Sequence, residues 1–195
     1  MKKNNENRFD VIIAGGGMIG VSMALAISSF GLKIGLVEKV ERDENNQPSF
    51  DDRSTALSRS SQNMFEAMGI WEKIRQASTP IRTIHVSDKG RFGFSHISAK
   101  EEKVEALGYV VINRVLGSVL LEELKSKNNI TVLCPETIIS IDEKEKFCEL
   151  NLRSEDKSSS ISIIKSKMLI VASGCLLYTS PSPRDATLSR MPSSA

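Results

Sequence analysis

The segment "GGGMIG" sets Gly15, Gly17 and Gly20 in a G-x-G-x-x-G spacing, with Met18 and Ile19 between the second and third glycines. Residues without a Cβ at these intervals do one kind of chemistry well: they bring bare backbone amides up to an anion. Gly15 permits a tight turn out of a strand, Gly17 lets a pyrophosphate approach the main chain, and Gly20 lets the following helix pack closely on that strand. The free N–H groups and positive dipole end of the helix then face the phosphates, with Met18 and Ile19 in its first turn. Eighteen residues beyond Gly20 stands Glu38, placed to accept hydrogen bonds from a ribose diol, and its charge disfavours a 2′-phosphate. The plainer reading is a glycine-rich turn beside a surface glutamate. The context argues against it, because an apolar run precedes the glycines, a helical run follows, and the acid sits at the right remove. The pattern implies a bound dinucleotide and leaves FAD and NAD equally open.

These residues need elements to hold them. Phe9–Gly17 reads as a buried strand running into glycines, Met18–Gly31 as a helix stopped by Gly31, and Leu32–Lys39 as a second strand with Glu38 at its carboxyl end. Together they make a βαβ unit. The polar stretch Val40–Arg53, with Pro48 inside it, reads as a long loop. Leu57, Met64, Phe65 and Met68 follow at helical spacing up to Gly69. Ile81–Ser98 reads as two strands about a glycine-containing turn. Gly108–Arg114 reads as a further strand, with Leu116, Val119, Leu120 and Leu124 marking a helix behind it. From Ile130 to Ile164 short strands alternate with solvated turns, as in an antiparallel β-meander attached to a parallel sheet. The expected class is α/β, Rossmann-like.

The chain has 195 residues, 40% hydrophobic and 26% charged, with a formal net charge of +2. That length suits one domain with a real core, and so small a charge gives no reason to expect nucleic acid. Residues 1–8 are polar, not a signal peptide, and no run reaches the ~18 apolar residues of a membrane-spanning helix. Cys134, Cys148 and Cys175 stand far apart, which offers neither a zinc site nor a redox dithiol and suits a cytoplasmic setting. His85 and His96 sit in strands with no fixed partner in view and read as structural or surface residues, and Trp71 as a core anchor.

Other segments carry a narrower likeness. "FDDRSTALS" (Phe50–Ser58) resembles the Asp-x-Arg-x-x-Ala-Leu segment of the class A FAD-dependent aromatic monooxygenases, and "INRVLGSVLLEEL" (Ile112–Leu124) resembles their strand-to-helix segment that opens with an arginine. "IHVSDKGRFGF" and "ALGYVVINR" are similar to the ubiquinone-biosynthesis branch, the 2-polyprenyl-6-methoxyphenol hydroxylases among it. The resemblance implies FAD, with the glycines and Glu38 on its ADP half and Arg53 and Arg114 near its phosphates, where forked guanidinium donors suit phosphate oxygens. It also implies NAD(P)H or another electron donor as reductant and molecular oxygen as co-substrate. The substrate would be a polyprenyl phenol, with peripheral contact at the inner membrane and a place in a ubiquinone-biosynthesis complex. The chemistry would be the flavin's, so neither a catalytic side chain nor a metal ligand is expected.

The likeness runs from Asp10 to Gly174, with Ser173–Gly174 where that family has Asp-Gly. Beyond it, Cys175–Asp185 and Ser189–Ala195 resemble the in-frame translation of the two ends of a common sequencing-library adapter. The expected division is therefore a polar 1–8, the first part of an FAD-binding monooxygenase domain over 9–174, and a non-native 175–195. On that reading the substrate-binding sheet is incomplete and the fragment inactive. Two other readings stay open: a different FAD-dependent oxidoreductase of isoprenoid lipids, and a truncated product without a role. A pyridine-nucleotide disulfide reductase would need a redox cysteine pair after the second strand, and none is there.

Overall fold

The computed structural model describes residues 7–41, 51–87, 90, 92–154 and 160–174. The six-stranded main sheet is built on β1 (Arg8–Ala14), whose core residues are apolar on both faces. Ile13 enters one hydrophobic core and Ile12 the other, and both have no exposed surface. β1 lies parallel to β2 (Ile34–Val37), so Ala14 ends level with Val37, and the two strands deliver Gly15 and Glu38 to the same edge. Between them runs α1 (Met18–Ser28). It is apolar almost all round and buries Gly20, Val21, Ala24 and Leu25.

β3 (Ser54–Ser58), α2 (Arg59–Ala67) and α3 (Trp71–Gln76) follow. Leu57, expected on a helix, lies in β3 instead, and α2 begins at Arg59 with the Ser58 hydroxyl accepting from the Ser61 N–H. The helical spacing of Leu57 was coincidental: its side chain is buried because β3 pairs with β7 (Gly108–Ile112). β4 (Ser78–Ile81) flanks β7 on its other side, completing a three-stranded antiparallel sheet that the sequence did not announce. Trp71 is buried and meets the Tyr109 ring edge-on at 4.9 Å, the anchoring role expected of it. β5 (Thr83–Ser87) and β6 (Phe94–Ser98) pair as an exposed ribbon, with His85 opposite His96.

α4 (Asn113–Lys125) leaves β7 and packs on α1 by burying Leu116, Leu120 and Leu124 on one stripe. Burying each of these leucines is worth about 1.5–3 kcal/mol. β8 (Ile130–Leu133) returns beside β2, parallel to it, so it belongs to the main sheet and not to the expected meander. The meander is β9 (Glu136–Glu143), β10 (Cys148–Ser154) and β11 (Ile161–Val171). β11 has two partners: its first half is antiparallel to β10, and its second half is parallel to β1 from Arg8↔Lys165 to Ala14↔Val171. The sheet order is therefore β8-β2-β1-β11-β10-β9. A second core is made by strands alone, where Phe9, Ile12 and Val37 meet Leu150, Leu152 and Ile164.

Candidate dinucleotide site

The glycine turn sits where β1 ends. Gly15 has φ +112°, its N–H donates to the Val37 carbonyl at 2.8 Å, and a Cβ placed on it would stand 2.5 Å from the Ala172 carbonyl oxygen. A Cβ on Gly20 would overlap the Gly15 carbonyl oxygen, and one on Gly16 would meet the Glu38 side chain at 2.8 Å. The turn is thus closed against side chains on three sides. Gly17 is the N-cap of α1 in an extended conformation, gives no side-chain cap, and no acid stands in the first turn. The opening amides of α1, Met18 and Ile19 among them, have no intrahelical acceptor and no side chain standing in for one. Backbone donors at a positive helix end, behind a surface with no Cβ, fit a pyrophosphate.

Glu38 follows directly on β2, held by its N–H to the Leu133 carbonyl at 2.9 Å and by its own carbonyl accepting from the Glu136 N–H at 2.8 Å. Its carboxylate spans the turn: Oε2 accepts from the Gly16 N–H at 2.5 Å and Oε1 from the Val40 N–H at 2.8 Å. To hold a ribose diol, one oxygen must turn from these amides toward the sugar or serve both.

Arg53 and Arg114 form a second group. Arg53 Nε is bonded to Asp51 Oδ2, and Arg114 Nε and a terminal guanidinium nitrogen reach Asp52 Oδ1 at 2.9 Å. Their side chains are 77% and 63% exposed. A cation in the first turn of α4 opposes the helix dipole, and Asp52 offsets that.

What joins the two arginines is a residue that sequence reasoning missed. Asn113 is buried; its Oδ1 accepts from the Thr55 hydroxyl at 2.6 Å and its Nδ2 donates to Asp51 Oδ1 at 3.1 Å. The backbone adds two more ties, Asn113 N–H to the Arg53 carbonyl at 2.8 Å and Arg114 N–H to the Asp51 carbonyl at 2.9 Å. Burial pushes the Asp51 carboxyl upward, but the hydrogen bonds from Arg53 and Asn113 outweigh it and hold the group below its ordinary value. The available signal was an asparagine at a strand-to-helix junction, a residue type whose side chain bonds nearby backbone and loops.

No hydrogen bond or ion pair among the described residues ties these two groups together, and the common core of α1 and α4 sets them in one body. His85 stacks on Phe94 at 5.2 Å, and both histidines are exposed on the ribbon. Among the described residues there is no cluster that could hold a metal ion, and no helix is long and apolar enough to cross a membrane.

A family model described as an FAD binding domain matches residues 8–175. The chain belongs to that FAD-binding family. Within it, a 3-demethoxyubiquinol 3-hydroxylase of Escherichia coli is 27% identical over 171 residues, covering 85% of this chain and 41% of that protein. A ubiquinone hydroxylase of Rhodospirillum rubrum, UbiL, is 29% identical over 132 residues, covering 68% of this chain and 30% of the relative. The chain thus spans well under half the length of these curated relatives. Among solved structures, the p-nitrophenol 4-monooxygenase of Pseudomonas putida superposes with a TM-score of 0.70 at 15% identity, over 86% of this chain and 42% of the other, which establishes the shared fold. The cofactor of the family is FAD, and the glycine turn has the bare backbone that its pyrophosphate requires.

Proposed function

We propose that this chain is the FAD-holding part of a monooxygenase that hydroxylates the ring of a polyprenylated phenol in ubiquinone biosynthesis. The observation that carries the reading is the Cβ-free turn at Gly15–Gly20 with Glu38 lying across it, in a chain whose curated relatives include a ubiquinone hydroxylase and a 3-demethoxyubiquinol 3-hydroxylase. FAD, once reduced by NAD(P)H or another donor, would supply the oxygen-transfer chemistry, with molecular oxygen as co-substrate.

The chain's own residues bind and orient. Amides from Gly15 to Gly20 hold the pyrophosphate, with those of Met18 and Ile19 at the head of α1, and Glu38 takes the ribose hydroxyls. Arg53 and Arg114 leave Asp51 and Asp52 to pair with phosphate oxygens, an exchange made cheap by their exposure. No side chain of the chain is assigned a proton-transfer step. The same reading divides the chain as 9–174 for cofactor binding and 175–195 as non-native sequence. It also places the parent protein in the cytoplasm, with peripheral contact at the inner membrane and membership of a ubiquinone-biosynthesis complex.

The test is direct. This chain is titrated with FAD and flavin fluorescence is followed, and a protein extended to the full length of the curated relatives is loaded with FAD and given NADPH, oxygen and a 2-polyprenylphenol, with products read by mass spectrometry. Saturable quenching and a product heavier by one oxygen atom sustain the reading. Flavin retention without hydroxylation favours another FAD-dependent oxidoreductase of isoprenoid lipids. Failure to retain flavin overturns the proposed site.

A further inference from the structure

The opposite end of the main sheet carries a feature that the cofactor does not use. Where β1 begins, seven residues from Gly15 and so roughly 23 Å away along the strand, an open groove of about 500 Å³ is lined by Arg8, Lys33, Lys146, Lys165 and Lys167. Asp10 is the single acid in its wall. On a chain whose net charge is only +2, this local excess is pronounced.

The topology makes it. Arg8 pairs with Lys165 in register, so β1 and β11 bring Arg8, Lys165 and Lys167 to one edge; Lys33 leads into β2, and Lys146 sits in the β9–β10 turn. Two of the ammonium groups lie over aromatic walls, Lys33 at 5.0 Å from the Phe9 ring centre and Lys165 at 5.1 Å from that of Phe147. Asp10 accepts from Lys167 at 2.7 Å and Glu149 pairs with Lys165 at 2.9 Å, so two cations are balanced. Arg8 and Lys146 have no acidic partner within ion-pair distance among the described residues.

We propose that this groove is a second anion site, taking a phosphate group whose attached body lies against the half-buried Phe147. Arg8 and Lys146 at its rim meet the charge, and the Phe147 ring gives an apolar wall to whatever the phosphate is attached to. A lipid headgroup and a soluble phosphate ester share this chemistry. The site is independent of the FAD reading, because it shares no residue with the glycine turn.

The experiment uses the full chain saturated with FAD, so that the glycine turn does not compete. One arm measures glycerol 1-phosphate binding by calorimetry. The other measures co-sedimentation with phosphatidylcholine vesicles that contain or lack phosphatidylglycerol. Arg8→Gln with Lys146→Gln is compared with Lys73→Gln plus Lys125→Gln, an equal charge change outside the groove. The expected result is binding in at least one arm, weakened about tenfold or more by the groove pair and little by the control, at about 1 kcal/mol (about fivefold) per cation near a phosphate surface. The arm that responds identifies the source. No binding in either arm, or equal loss with both variants, overturns the proposal.

Discussion

The glycine turn and the arginine clasp, both proposed to meet the phosphates of FAD, are built by opposite means. The turn is fixed by main-chain geometry: Gly15 at positive φ against Ala172, Gly20 against Gly15, with Glu38 across the opening. Apart from the Glu38 carboxylate, nothing there can rearrange without moving strands. The clasp is fixed by charges, two exposed arginines resting on Asp51 and Asp52, with the buried Asn113 behind them. One region has its backbone in place; the other rests its two cations on exposed carboxylates. Shape specificity and adjustable charge are thus assigned to separate parts of the chain, and the two should respond differently to substitution.

The largest effect is expected from Gly20→Ala. The added Cβ overlaps the Gly15 carbonyl oxygen, backbone against backbone, and should cost about 3 kcal/mol in urea unfolding. FAD affinity should fall about a hundredfold. A near-normal unfolding midpoint for this variant would contradict the rigid-turn account.

Asn113→Ala comes next. It strands the Thr55 hydroxyl and one bond to Asp51 in a partly buried place, for about 1–3 kcal/mol. It should also raise the Asp51 carboxyl toward its ordinary value, read by carbon-detected NMR titration. The sign follows from linkage: a carboxyl depressed in the fold contributes stability above the ordinary carboxylate range and loses it as pH falls through the folded value. Acid unfolding of the variant should therefore be less steep, and an unchanged Asp51 titration would remove Asn113 from the clasp.

Glu38→Gln keeps the shape and drops the charge, and its single amide oxygen can accept from only one of the Gly16 and Val40 amides, so one of the two bonds is lost at about 1 kcal/mol. Preference for ADP over its 2′-phosphorylated form should narrow, which competition binding measures.

The smallest change in stability belongs to Arg53→Ala and Arg114→Ala, within about 0.5 kcal/mol, because exposed ion pairs contribute little. Their FAD affinity should nevertheless drop about fivefold to tenfold. A stability loss larger than that of Glu38→Gln would reverse the contrast between the two regions.

What the sequence disclosed follows the same contrast. The βαβ unit was legible because β1, α1 and β2 are written in local periodicity and punctuated by glycines, and Glu38 falls just where the strand ends. Leu57 was misplaced because one apolar residue at helical spacing cannot be told from a strand residue; its pairing partner, Tyr109, lies far along the chain. β8 was grouped with the meander for a similar reason, since its neighbour β2 is nearly a hundred residues earlier. Asn113 stayed hidden because its worth lies in bonds to Asp51 and Thr55, which no spacing rule connects.

The pairing of β11 with β1 has a consequence for how the molecule comes into being. Gly15 leaves the ribosome well over a hundred residues before Ala172, yet its turn is walled by that residue, whose N–H bonds to the Ala14 carbonyl at 2.7 Å. At ordinary synthesis rates of about 5–20 residues per second, that wall arrives roughly ten to thirty seconds after the glycines. Through that interval β1 lacks one neighbour and the nascent chain carries an unfinished, sticky edge. The glycine turn is therefore synthesised long before the strand that closes it, so its edge stays open to wrong pairings until β11 arrives.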